Sequence, residues 1–355
     1  MSTAPASGPI PMRVGLVGYG MAGRRIHAPL IARAGLVVAT VSTADKTRTA
    51  DVASDLPEAV VVADLTALLA RGGVDVVVLA SPTGAHEAQA EQVIAAGVPV
   101  VVDKPLALDA PAGLRVLDLA AHHNVPLTVF QNRRHDPELL GLTAVIEQGL
   151  VGEVFRAEYR WDRWRPVRND RWRHTATAAQ GGGLLLDLGA HLIDQALLLH
   201  GEVESVYAEL DARVAVAEDD AFLACRHRSG VLSHLSMSAL NGAPGPRARL
   251  AGSNGAYVIG KQFDDVSAFT EFANEGDAVG WIVRGDERET GPVVTTADQA
   301  DFYRGLATAL RSDDPASRMP VDPHDAVHVL AVIDAARVSA RDNRVIDVTT
   351  PGRAD

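Results

Sequence analysis

Residues 14–17 are apolar and run directly into Gly18-Tyr19-Gly20-Met21-Ala22-Gly23. A buried strand opening into Gly-x-Gly-x-x-Gly near the start of a chain limits the possible folds more than any other feature here. Gly18 permits a tight turn, Gly20 lets the backbone approach a pyrophosphate, and Gly23 lets helix and strand pack closely; Tyr19, Met21 and Ala22 complete the loop. The following helix presents unpaired N–H groups and the positive end of its dipole to phosphates. A merely structural turn is the alternative. The βαβ context argues for a dinucleotide site.

The pattern around this loop supports that context. Apolar, β-branched runs recur at residues 13–17, 36–41, 59–62, 74–80, 98–102 and 126–130, with Ala-rich helical stretches between them, notably 84–96 and 110–122. Continuous apolar strands alternating with helices specify a doubly wound parallel sheet covered on both faces. After residue 130 the texture changes. Residues 136–149 and 183–200 read as helices, 153–162 alternates like a half-exposed strand, and 202–260 holds several strand-like runs with turns at Ser229-Gly230, Asn241-Gly242 and Asn254-Gly255. Residues 297–312 and 324–341 read as further helices and 344–348 as a last strand. The expected class is α/β: an N-terminal Rossmann domain at 12–131 and a C-terminal α+β domain with a mainly antiparallel open sheet at 132–355, behind a disordered tail at 1–11.

The 355 residues suffice for two such cores. A formal net charge of −12 argues against nucleic acid or an anionic membrane as a partner. No apolar run reaches membrane-spanning length, the N-terminus does not resemble a signal peptide, and the cytoplasm is the expected address. One cysteine, Cys225, excludes an internal disulfide framework and a Cys-rich zinc site, and its apolar strand makes it a small buried hydrophobe.

The second strand should end in an acid if NAD is preferred, because that acid bonds the ribose hydroxyls. Here it ends Thr40-Val41-Ser42-Thr43, and the nearest carboxylate is Asp45. Ser42 and Thr43 can donate to a 2′-phosphate, with Lys46 or Arg48 supplying charge, so NADP is expected ahead of NAD. A plain turn at Ser42-Thr43 is the bland alternative. Farther on, Val100-Val101-Val102-Asp103-Lys104-Pro105 places an ammonium at a strand exit, the end of a parallel sheet where ligands bind.

Together these motifs resemble the Gfo/Idh/MocA family of oxidoreductases over nearly the whole chain. The carriers are the glycine loop, Ser81-Pro82-Thr83-Gly84-Ala85-His86, Asp103-Lys104-Pro105 (most members have Glu-Lys-Pro) and Gly181-Gly182-Gly183-Leu184-Leu185-Leu186-Asp187-Leu188-Gly189-Ala190-His191. A narrower likeness, through Tyr19, His27-Ala28-Pro29-Leu30, Asn132-Arg133-Arg134, Asp162-Arg163-Trp164-Arg165-Pro166 and Asp170-Arg171-Trp172-Arg173, is to the branch of NADP-dependent scyllo-inositol dehydrogenases. This chain departs from it at His135, where an aromatic is usual, and at Thr43, where some members have Arg.

The resemblance implies a catalytic group of Lys104, Asp187 and His191. It also implies a cofactor surface drawing on Ser81, Pro82, Thr83, His86, Asp103, Lys104, Pro105 and Asn132 beside the glycine loop. Asp187 and His191 are i and i+4 on an apolar helix and share a face. His191 is the first choice for the base. Asp187 bonds substrate or orients the imidazole, and Lys104 polarises the reacting oxygen. A metal reading of the Asp-x-x-x-His pair lacks a third ligand. Residues 160–174 hold three of the four tryptophans and six arginines. They are read as a substrate-lining loop, in which Trp can stack on a sugar-like ring and Arg can bond hydroxyls or a carboxylate, with Trp161, Trp164, Arg163 and Arg133 joining Asp187 and His191 at the substrate; an oligomer contact or a nucleic-acid surface is the alternative. One of Arg133 and Arg134 is expected only to form an ion pair at the domain junction.

The expected activity is hydride transfer between NADP or NAD and a secondary alcohol of a cyclic polyol or sugar, scyllo-inositol first. A non-catalytic dinucleotide-binding sensor and a keto-sugar or imine reductase are the alternatives. A homodimer or homotetramer is expected to form through the open sheet.

Overall fold

Valine-rich runs become the inner strands of a six-stranded parallel sheet. The computed structural model describes residues 11–167, 175–260 and 274–349, so the tail at 1–10 and the Asp170-Arg171-Trp172-Arg173 motif lie outside the described residues. Strands β1 (Arg13–Val17), β2 (Val37–Ser42), β3 (Val60–Val62), β4 (Val76–Leu79), β5 (Val100–Asp103) and β6 (Leu127–Phe130) lie in the order β3-β2-β1-β4-β5-β6. Every pair is parallel, which is the doubly wound order with its switch point beside β1. The four residues of β4 are all buried, as are the valines of β5. Helices α1 (Ala28–Arg33), α2 (Lys46–Asp55), α3 (Leu65–Arg71) and α4 (His86–Ala95) connect the first five strands. Asp45 and Asp64 cap α2 and α3 by accepting from backbone N–H groups of the first turn.

Packing divides the chain differently from the contiguous split expected at 131/132. The first unit comprises Met1–Asp103, Val116–Phe130 and Ala300–Asp322; the second comprises Lys104–Arg115, Gln131–Gln299 and Pro323–Asp355. The late segment enters the first core because helix α8 (Asp301–Leu310) buries Phe302, Tyr303 and Leu306 in the cluster that holds Val14, Leu16 and Phe130. Thr128 adds a hydrogen bond from its hydroxyl to the Val321 carbonyl at 2.8 Å.

The second unit is built on a nine-stranded sheet. Its strands are β7 (Val154–Asp162), β8 (Val203–Asp211), β9 (Asp220–His227), β10 (Leu232–Ser238), β11 (Ala248–Gly252), β12 (Gly255–Ile259), β13 (Trp281–Arg284), β14 (Glu287–Thr290) and β15 (Ile346–Asp347). The order is β14-β13-β12-β11-β7-β10-β9-β8-β15. All pairs are antiparallel except β7 with β10. The turns at Ser229-Gly230 and Asn254-Gly255 make hairpins. Asn241-Gly242 does not, because β7 lies between β10 and β11; Asn241 instead donates to Asp162 at 2.8 Å. Helices α5 (Ala110–His123), α6 (Pro137–Glu147), α7 (Ala190–His200) and α9 (Pro323–Asp342) complete the set used here. α9 lies along β8, where Ala208 N–H donates to the Ser339 hydroxyl at 2.9 Å. Cys225 is buried on β9, as its apolar run implied.

Beneath this sheet a polar chain is fully paired. The Tyr159 hydroxyl donates to His200 Nε2 at 2.7 Å, and His227 bonds the Gly201 carbonyl at 2.7 Å and the Ser233 hydroxyl at 2.8 Å. Burial, with His227 beside it, pushes His200 down from 6.5 to about 3. Its neutral form therefore belongs to the folded state. That contribution to stability is complete above the unfolded value and is lost as pH falls from 6.5 toward 3. At pH 5 the loss is roughly 2 kcal/mol. Urea unfolding across this range should show His200→Gln, which keeps an acceptor for Tyr159, with a flatter acid slope than the wild type; equal slopes would remove His200 as the source.

Candidate active site

In the first unit the glycine loop has the shape its sequence implied. Gly18 adopts φ +93°, and a Cβ there would lie 2.8 Å from the Ala80 carbonyl oxygen; one on Gly23 would lie 2.1 Å from that of Gly18. Both positions admit only glycine. A Cβ on Gly20 would meet nothing nearer than the Arg48 guanidinium at 3.9 Å, so this backbone is open to a phosphate with a cation beside it. The loop residues fit a dinucleotide. Gly23–His27 forms a π-turn ahead of α1, a wider turn common at functional sites.

Several expected cofactor contacts use their side chains otherwise. Tyr19 is 2% exposed, packs in the core, and donates to Asp55, which also binds Arg24 at 2.6 Å; only its backbone belongs to the loop. Met21 is exposed and Ala22 half-buried. The Ser81 hydroxyl donates to Gln89 at 2.5 Å, and buried His86 donates through Nε2 to the Ser81 carbonyl at 3.0 Å. These two groups hold the turn after β4, around exposed Pro82 and buried Thr83. Ser42 is buried at the end of β2 and Thr43 half-buried. Asp45 is committed to capping α2, accepting from Thr47 and Arg48 N–H at 2.9 and 3.0 Å.

The second unit gathers the reactive groups. Lys104, immediately after β5, has a side chain 10% exposed. Its ammonium donates to the Asp187 backbone carbonyl at 2.6 Å and to Oδ1 at 3.2 Å, and the Lys104–Pro105 peptide is cis. Asp187 lies in a π-turn, Leu185–Gly189, and His191 in the first turn of α7. The regular helix expected over 183–200 is thus interrupted by a π segment that holds Asp187, with His191 just past its end. Gly189 permits this: a Cβ would press on Leu185 at 3.0 Å and on the Met237 sulfur of β10 at 3.1 Å. Gly183, at φ +94°, leaves its Cβ space to the Glu218 carboxylate, which accepts from Leu185 N–H at 3.2 Å. Burial raises the Glu218 carboxyl above its ordinary value.

The His191 ring lies 5.7 Å from that of Trp161, tilted by 32°. Trp161 is 3% exposed, with the guanidinium groups of Arg133, Arg247 and Arg163 over its ring at 4.5, 4.7 and 5.2 Å from the centroid. Cations lie over the indole, and Trp161 packs beside His191 and under Arg133. Trp164 is 64% exposed and pairs in a bridge with Leu240. Arg133 bonds Asp136 at 2.8 Å. The Asn132 amide, expected at the cofactor, donates to Gln299 at 2.9 Å, and Gln299 donates to Asp136 at 2.5 Å. Arg134 also pairs with carboxylates, those of Asp194 and Asp325 at 2.6 and 3.0 Å, which belong to its own unit. Burial raises the Asp194 carboxyl, with Arg134 opposing that shift.

Arg247, Glu138, Gln299 and Glu218 were not singled out from sequence. A glutamate in the apolar run Pro137-Glu138-Leu139-Leu140 was the available signal; its partner stands 109 positions away. Among the described residues no group of three or more His, Cys, Asp or Glu side chains could hold a metal, and no helix is long and apolar enough to cross a membrane.

Comparisons with known proteins agree with this geometry. Residues 12–131 match the model of an oxidoreductase family with an NAD-binding Rossmann fold, and residues 140–258 match the GFO/IDH/MocA C-terminal domain. The uncharacterized oxidoreductase YdgJ of Escherichia coli is 32% identical over 93% of this chain and 96% of its own. The NADP(+) scyllo-inositol 2-dehydrogenase IolW of Bacillus subtilis is 28% identical over 94% and 95%. The solved structure of yvaA from Bacillus subtilis superposes with a TM-score of 0.83 at 25% identity, covering 97% of this chain and 100% of that one.

The pair of Arg247 with Glu138, 2.8 Å apart and 6% and 8% exposed, carries a stability prediction. Arg247→Met strands a buried carboxylate and should cost about 3–5 kcal/mol in urea unfolding, whereas adding Glu138→Leu should recover most of that loss.

Proposed function

Because the chain belongs to the Gfo/Idh/MocA family of oxidoreductases, we propose that it transfers hydride between NADP and a secondary alcohol of a cyclic polyol or sugar, with scyllo-inositol the first candidate. The observation that carries this reading is the Lys104 ammonium held at 2.6 and 3.2 Å by Asp187, with His191 one turn farther along the same helical segment. The glycine loop from Gly18 to Gly23 would hold the dinucleotide, whose nicotinamide would supply the acceptor or donor of hydride. His191 takes the hydroxyl proton, and Lys104 stabilises the oxygen as negative charge develops on it. Asp187 fixes the ammonium and keeps the local charge balanced. The gathered charges of Lys104, Arg133 and Arg247 are each paired with a carboxylate, which suits a neutral polyol better than an acid.

NADP is favoured over NAD because the carboxylate nearest the end of β2 is occupied as the α2 cap, while the Arg48 guanidinium lies beside Gly20. Ser42 and Thr43 are assigned to the 2′-phosphate. The chain is further proposed to pair through the open face of its nine-stranded sheet, where β7 exposes Phe155 and carries Glu158 between Arg160 and Arg249.

A panel of inositols and aldoses with each dinucleotide, followed by absorbance of the reduced nicotinamide, tests the reading; turnover of none would end it. On the best substrate, His191→Ala should lower turnover by roughly 10²–10⁴ with dinucleotide affinity nearly unchanged. Near-normal turnover in this variant would transfer the base role to Lys104. Thr43→Asp should shift preference toward NAD by repelling the 2′-phosphate, and tighter binding of NAD by the wild type would reject the assignment of Ser42 and Thr43. Sedimentation showing only monomer at micromolar concentration would reject the sheet-face interface.

A further inference from the structure

A fully buried histidine in the first unit has no part in the chemistry above. His27 closes the π-turn after the glycine loop and is 0% exposed. Its Nδ1 lies 2.6 Å from the Tyr303 hydroxyl, and its Nε2 3.8 Å from Asp103 Oδ2. The ring rests on Phe130, with centroids 4.2 Å apart. Tyr303 is equally buried. Three segments widely separated in sequence thus converge on one imidazole.

The chemistry of the partners assigns the tautomer. A carboxylate only accepts, so the ring nitrogen facing Asp103 carries the proton. In the neutral ring Nδ1 then accepts, and Tyr303 donates to it. Burial and the charge of Asp103 hold the Tyr303 phenol well above its ordinary value, which keeps its O–H as the donor. Nε2 has no hydrogen-bond partner among the described residues. With no exposure to water, the nearest compensation for its N–H is the Asp103 carboxylate. That carboxylate ends β5, and the next residue is Lys104.

We propose that His27, held by Tyr303, is a positioning residue that sets the orientation of the Asp103 carboxylate and, through it, the affinity for the dinucleotide. This rests on the reading of Asp103 as a cofactor contact. Asparagine at position 27 places an amide near Nδ1 and reaches Tyr303 only; glutamine places one near Nε2 and reaches Asp103 only. The two variants therefore separate orientation of Asp103 from simple filling of the core.

The experiment measures NADP and NAD dissociation constants by calorimetry for the wild type, His27→Asn, His27→Gln and Tyr303→Phe, with thermal melts alongside. His27→Asn should weaken the preferred dinucleotide roughly tenfold, and His27→Gln by less than about threefold. In an Asp103→Asn background His27→Asn should add nothing further. Equal weakening by both His27 variants, or loss that tracks melting temperature alone, overturns the proposal. ¹⁵N spectra of histidine-labelled protein, which need no ligand, should show His27 as the Nε2–H tautomer; an Nδ1–H tautomer also overturns it. No turnover is read, so failure of the polyol assignment and failure of this inference are distinguishable.

Discussion

A nearly buried ammonium must be surrounded by oxygen, and most of the reactive geometry here follows from how that requirement is met for Lys104. Asp187 supplies two acceptors from one residue, its main-chain carbonyl and its carboxylate. A carbonyl within a regular helix points along the axis to its own ladder partner. The π-turn at Leu185–Gly189 interrupts that ladder where Asp187 meets Lys104. The turn in turn needs glycine at 189 against Met237, and glycine at 183 against Glu218. One electrostatic demand thus propagates into backbone geometry, and from there into the close approach of strand and helix.

The same economy governs the other charges of the second unit. Arg133 with Asp136, Arg247 with Glu138, and Arg134 with Asp194 and Asp325 are matched pairs or triads, the second of them buried on both sides. Such pairs add little net stability compared with apolar residues of the same volume, but each is costly to break from one side. The guanidinium groups of Arg133 and Arg247 cover Trp161, whose indole lies against His191. In this arrangement the tryptophan gives rigidity to the histidine, and the arginines are immobilised by both ring and carboxylate.

In the first unit the constraint is steric. Gly18 and Gly23 bring backbone within a distance that excludes any Cβ, and the loop closes on itself and on the carbonyl after β4. Asp45, just past the end of β2, gives its carboxylate to the orphan N–H groups of α2.

Sequence alone determined the features whose causes are local. The doubly wound parallel sheet of the first unit follows from short valine-rich runs alternating with helices, because βαβ connections allow few arrangements. The glycines of the loop, the apolar helix bearing Asp187 and His191, the exit position of Lys104 and the strand burial of Cys225 were legible for the same reason: each depends on neighbours within a few residues. Tertiary structure decided what depends on distant partners. It placed residues 300–322 in the first unit, paired β7 in parallel with β10 so that Asn241-Gly242 could not form a hairpin, and gave Tyr19, His86 and Asn132 hydrogen bonds to Asp55, the Ser81 carbonyl and Gln299. It also brought Arg247 onto Trp161 from a strand far along the chain. A buried charge carries no mark of its partner in the local pattern; only the folded chain, by excluding water from both, makes the pairing obligatory.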